Sequence, residues 1–118
     1  MCAVLNEKGS VFVWGYGILG QGPNVESSPV PTLLPDPLFG LNEFNPDTEV
    51  QQLACGLSHF AAVTNLGHLY MWGRNRSDCL GLGWEKDQYF PYKVAVPAEV
   101  LKISCGVDHT AALCRSFA

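Results

Sequence analysis

Two copies of one short pattern hold the residues best able to do chemistry. Cys55-Gly-Leu-Ser-His59 and Cys105-Gly-Val-Asp-His109 each set a thiol four residues before an imidazole. Together they offer two cysteines and two histidines, the donor types of tetrahedral zinc. The pairs, however, stand 50 residues apart at the same place in successive repeats. Repetition holds them apart, whereas a structural zinc gathers two pairs onto one ion, so no metal is expected. Each cysteine is expected to fill a small apolar gap and each histidine to bond a neighbouring turn. Ser58-His59 and Asp108-His109 also raise the question of a hydrolase. Nucleophile and base meet across a fold rather than as sequence neighbours, and no G-x-S-x-G elbow occurs, so no catalytic residue is expected.

The stretch VFVWGYGILGQG (11–22) places Gly15, Gly17 and Gly20 in the spacing G-x-G-x-x-G after a strand-like run. A dinucleotide site needs a helix starting at the third glycine, so that pyrophosphate meets the helix N-terminus. Here Gln21-Gly22-Pro23 and a run of prolines follow, and the second copy, GRNRSDCLGLG, has lost the spacing. No cofactor is expected, and the glycines are assigned to sharp turns and close backbone approach.

Four side chains remain as candidate partner contacts. Asp108 replaces Ser58 at the equivalent turn and would set a carboxylate on a rim. Trp84 begins the loop WEKDQYF, beside charged residues, where exposed aromatics often anchor interfaces. Arg74 and Arg76 follow a W-G strand end, within reach of phosphate or an acidic partner. Trp14 and Trp72 are assigned to the core.

These residues must be positioned by short strands. SVFVWG and HLYMWG are rich in aromatic and β-branched residues, bounded by glycine, and apolar with little alternation, so both faces are expected to be covered. Gly9 and Gly67 suit turn positions with φ > 0. No stretch carries a helical period. LACGLSHFAAV (53–63) matches ISCGVDHTAAL (103–113), and AVLNEKGSVFVWG (3–15) matches AVTNLGHLYMWG (62–73), with LGQG (19–22) on LGLG (80–83). The order is strand, C-G-x-x-H turn, A-A strand, hairpin, W-G strand, L-G-x-G. The divisions are 1–22, the end of one unit; 23–48, a Pro-rich expanded surface loop and candidate contact site; 49–99, a second unit; and 100–118, a further repeat or closing strands.

The 118 residues are 47% hydrophobic and 15% charged, as in one globular domain. Net charge is −4 and the seven basic residues are scattered, which argues against a nucleic-acid surface on this segment. No apolar run approaches the roughly 20 residues of a membrane span, and no leader pattern opens the chain. Met1-Cys2-Ala3-Val4-Leu5 already reads as a strand, so the chain is expected to be part of a longer protein. Five cysteines, an odd count with no C-x-x-C, fit a reducing compartment, and Asn75-Arg76-Ser77 is taken as a chance sequon.

The repeated order C-G-x-x-H, W-G, L-G-x-G resembles the regulator-of-chromosome-condensation repeat over nearly the whole chain. That resemblance implies an all-β fold: about two blades of a seven-bladed RCC-type β-propeller, four short strands per blade. Seven blades need roughly 350–400 residues, and each repeat buries its faces on its neighbours, so two blades alone are expected to be marginal. VWGYGILGQGPNVESS, LFGLNEFNP, CGLSHFAA, DQYFP and CGVDH look more narrowly like a mitochondrial guanine-nucleotide exchange branch of that family. The branch implies mitochondrial localisation and, as partners, a small or dynamin-like GTPase together with the missing blades. It also implies a second possibility, an RNA- and protein-binding scaffold in assembly of the large mitochondrial ribosomal subunit, with ribosome assembly proteins and rRNA as partners. A third is a purely structural pair of closing blades. None of the three needs covalent chemistry.

Overall fold

A strand such as LYMWG has no polar side chain for either face of its pleat, so it is stable only between two covering layers. The computed structural model, which describes residues 2–22, 27–40, 48–56, 59–74, 87–94, 98–106 and 110–116, provides them. Among the described residues, nine strands form three antiparallel sheets. The first contains β1 (Cys2–Leu5), β2 (Val11–Tyr16) and β3 (Ser27–Leu34); the second β4 (Val50–Cys55), β5 (His59–Thr64), β6 (Leu69–Gly73) and β7 (Gln88–Lys93); the third β8 (Ala98–Cys105) and β9 (Thr110–Ser116). The only helical turn among the described residues is a 3-10 turn, Asp36–Phe39.

The second sheet lies between the other two. Phe60, Ala62, Tyr70 and Trp72 pack with Val11, Val13 and Leu34 of the first sheet. The alternate residues Ala61, Val63, Leu69 and Met71 pack with Val94 and with Val100 and Ile103 of the third. Every residue of β5 and β6 is buried as a result.

Matching turns join the sheets. The β1–β2 and β5–β6 hairpins close on Gly9 (φ 78°) and Gly67 (φ 77°), a conformation that carries a steric penalty for residues with a Cβ. The freed carbonyls then reach the next sheet: Val50 N–H donates to Gly9 O at 3.2 Å and Val100 N–H to Gly67 O at 3.0 Å. Gln52 Nε2 adds a bond to Leu101 O between the inner strands.

Segment 23–48 differs from the loop expected from its prolines. Ser27–Leu34 is the outer strand β3, and the 3-10 turn carries Leu38 and Phe39 into the packing between the first two sheets. Pro29 and Pro31 are tolerated because β3 is an edge strand with a bulge: Thr32 pairs with Val13 but Ser28 with Gly15. Ser28 and Thr32 hydroxyls both donate to the bulged Val30 carbonyl, at 2.8 and 3.1 Å. The second sheet has the same bulge at Pro91, where Tyr92 pairs with Met71 and Gln88 with Gly73. The third unit begins at Ala98, two residues ahead of the expected boundary at 100.

Trp72 is fully buried, but Trp14, also assigned to the core, is only half-buried. Its face of the first sheet is covered by no other described strand. The cross-strand row Val4–Phe12–Leu33 lies there, with Val4 49% and Leu33 48% exposed. Such a face favours association. The isolated 118-residue chain is therefore expected to elute from size exclusion as concentration-dependent oligomers and to melt broadly by circular dichroism. A sharp melt of a monomer at all concentrations would contradict this.

Candidate functional site

The turns between β4 and β5 and between β8 and β9 lie at one end of the sheets, with the C-terminal end of β6. His59 pairs with Gly73 across the β5–β6 ladder, which brings Arg74 to this rim. Arg74 is exposed there. The other candidate contacts, Arg76, Trp84 and Asp108, lie outside the described residues, although the strand ends that flank Asp108, at Cys105 and Thr110, belong to the same rim.

Below the rim, the C-G-x-x-H turn serves as a joint between sheets. His59 is buried, and its Nε2 lies 3.0 Å from Thr110 Oγ1 on the third sheet. The expected bond to a neighbouring turn thus reaches the neighbouring sheet. Gly56 N–H donates to His59 O at 2.8 Å, closing the turn. A methyl on Gly56 would stand 2.5 Å from Gly106 O and would overlap the His59 ring, so this position has no room for a side chain. Cys105 packs against the apolar layer as expected of a gap-filler, whereas Cys55 is exposed. Although its surface is exposed, partial desolvation by the surrounding chain pushes the Cys55 thiol up from its ordinary value, and nearby Cys2 adds to this.

The G-x-G-x-x-G stretch has a comparable use. No helix follows Gly20 among the described residues; the chain runs on to Gly22, whose N–H donates to Tyr89 O of the second sheet at 2.9 Å. A methyl on Gly20 would stand 2.9 Å from Trp72 Nε1, so L-G-x-G of one sheet makes room for the tryptophan of the next. Phe60 stacks on Trp72 with ring centroids 5.2 Å apart, and Phe39 meets Trp72 edge-on at 5.7 Å. Sequence reasoning missed Phe39 and Leu38. The stretch LFG was visible, but its apolar pair carried no repeat signal.

Antiparallel sheets stacked face to face, with inner strands adjoining and outer strands at the edge, are blades of a β-propeller. The regulator of chromosome condensation (RCC1) repeat model matches residues 8–63 and 67–113, and a second RCC1 repeat model matches 50–79. This chain belongs to the RCC1 repeat family and forms about two blades of its propeller. It is 58% identical over 116 residues to the RCC1-like G exchanging factor-like protein of Homo sapiens, covering 98% of this chain and 25% of that protein. The crystal structure of human WBSCR16 superposes with a TM-score of 0.94 at 57% identity, over 98% of this chain and 29% of that one. Prp20p from Saccharomyces cerevisiae superposes with a TM-score of 0.79 at 19% identity, again over 98% and 29%, and shares the fold. The chain spans about a quarter of the length of the curated relatives it matches.

One outcome tests the joint and a second tests the β5–β6 turn. Gly56→Ala in the full-length protein is expected to cost about 1–3 kcal/mol in denaturant unfolding, since the clash is with backbone. His68, in the β5–β6 turn, has its pKa lowered by burial and by Lys93. The unfolded imidazole, near 6.5, therefore binds protons that the folded one refuses. Stability from this group is complete above that pH and is lost as pH falls below it. His68→Gln should flatten the acid limb of a stability–pH curve.

Proposed function

We propose that this chain is a protein-interaction part of a guanine-nucleotide exchange propeller, acting on a GTPase without covalent chemistry. The observation that carries this is 58% identity, over 98% of the chain, to a protein named as an RCC1-like G exchanging factor-like protein. The structure of Prp20p, which shares the fold, was described with its binding properties to Gsp1p and histones. An exchange factor needs no reactive side chain. It accelerates nucleotide release by binding the nucleotide-free GTPase more tightly than the loaded one.

The contacts proposed in this chain are Arg74, at the rim, together with Arg76, Trp84 and Asp108. The GTPase is proposed to be a dynamin-like one in mitochondria. Full-length protein should be captured from mitochondria without nucleotide and again with excess GTP, and the retained proteins identified by mass spectrometry. A GTPase retained without nucleotide and lost with GTP supports the proposal. Retention of large-subunit ribosomal proteins, indifferent to GTP, would replace it with a ribosome-assembly scaffold. Arg74→Glu combined with Trp84→Ala and Asp108→Lys should lower capture at least tenfold; unchanged capture would make these blades purely structural.

A further inference from the structure

The joint between the second and third sheets contains a connected set of three groups that exchange chemistry does not use. Cys105 Sγ lies 4.0 Å from Thr110 Oγ1, and Thr110 Oγ1 lies 3.0 Å from His59 Nε2. Thiol, hydroxyl and imidazole are thus linked through the Thr110 hydroxyl, with the first two on the third sheet and the imidazole buried on the second. We infer that Cys105 is a reactive thiol and a site of oxidation by peroxides, its proton passed through Thr110 to His59.

The chemistry balances. The Cys105 thiol donates to the Thr110 oxygen while the Thr110 hydroxyl donates to His59 Nε2. When the proton moves along this line, Thr110 remains neutral, Cys105 becomes a thiolate and His59 an imidazolium. A thiolate that has passed its proton to a histidine is the nucleophilic form of cysteine. Attack on a peroxide forms an S–O bond and breaks the O–O bond. Sulfur is oxidised to the sulfenic acid, the peroxide is reduced, and the departing hydroxide takes the proton from His59 to leave as water.

The repeat supplies an internal control. Cys55 holds the position of Cys105 one blade earlier, and its ladder partner is Phe60, where that of Cys105 is Thr110. A phenyl ring cannot relay a proton. Cys55 is also the more exposed of the two thiols. Access by itself therefore ranks Cys55 as the faster to react, and the relay ranks Cys105 as the faster.

The test uses the full-length protein, limiting iodoacetamide at neutral pH, and mass spectrometry of the separate cysteine peptides. Cys105 should alkylate roughly tenfold faster than Cys55, as the thiolate fraction of a relay-assisted cysteine rises. Thr110→Val should bring the Cys105 rate down to or below that of Cys55, and Thr110→Ser, which keeps the hydroxyl, should restore it. A merely loosened joint would move the rate the other way, by exposing Cys105. Dilute hydrogen peroxide with a 1,3-dione trap should label Cys105 first in the wild type and not in Thr110→Val. Faster reaction of Cys55, or a Cys105 rate unchanged by Thr110→Val, would overturn the inference.

Discussion

Met71 and Trp72 are neighbours in sequence and are buried against different sheets, Met71 with Val100 of the third, Trp72 with Val11, Val13 and Leu34 of the first. That opposition is the constraint on which the chain depends. A pleated strand sends successive side chains to opposite faces, so a strand with no polar alternation can be stable only inside a stack. Removing a buried aromatic costs about 3–5 kcal/mol. That is a large share of the roughly 5–15 kcal/mol that keeps a domain folded. The second sheet therefore cannot be understood without its neighbours, and the first sheet shows what happens without one: Val4 and Leu33 are half in water and Trp14 is only half-buried.

The polar contacts between sheets follow from the same stacking. Each repeat motif does its work on the adjoining blade rather than on its own. The glycine of one hairpin accepts from the strand that opens the next sheet, at Gly9–Val50 and again at Gly67–Val100. L-G-x-G leaves space for the following tryptophan, and C-G-x-x-H sends its imidazole to Thr110. A buried polar group without a partner is costly, which is why His59, fully buried, is tied across the seam. Because the joint is built from a thiol, a hydroxyl and an imidazole, a structural contact also brings proton-transfer groups into line. The rim above it carries Arg74, which is exposed.

Much of this was legible in the residues alone. Self-similarity at offsets of 50 and 58 identified the unit, and W-G, L-G-x-G and C-G-x-x-H identified the family that the repeat match now shows. The positive φ of Gly9 and Gly67 and the full burial of β6 also followed from glycine placement and from the absence of alternation. The outer strand β3 did not. Pro29 and Pro31 signal a loop by local propensity, and only pairing with β2 shows that a bulge on an edge strand accommodates them. Phe39 was hidden for a related reason, since a lone L-F pair after two prolines has no period from which burial could be read.

By itself, then, the sequence determined the repeat, its inner strands and the turn glycines, because these rest on local backbone sterics and side-chain period. Tertiary structure decided which repeat receives each motif. It set His59 on Thr110 of the neighbouring sheet, packed Phe39 against Trp72, and gave two equivalent cysteines different surroundings. The physical reason is that these contacts join residues about 30 to 50 positions apart in the chain. Stacking of whole sheets, with the burial it demands, sets their distances, and no local propensity encodes it.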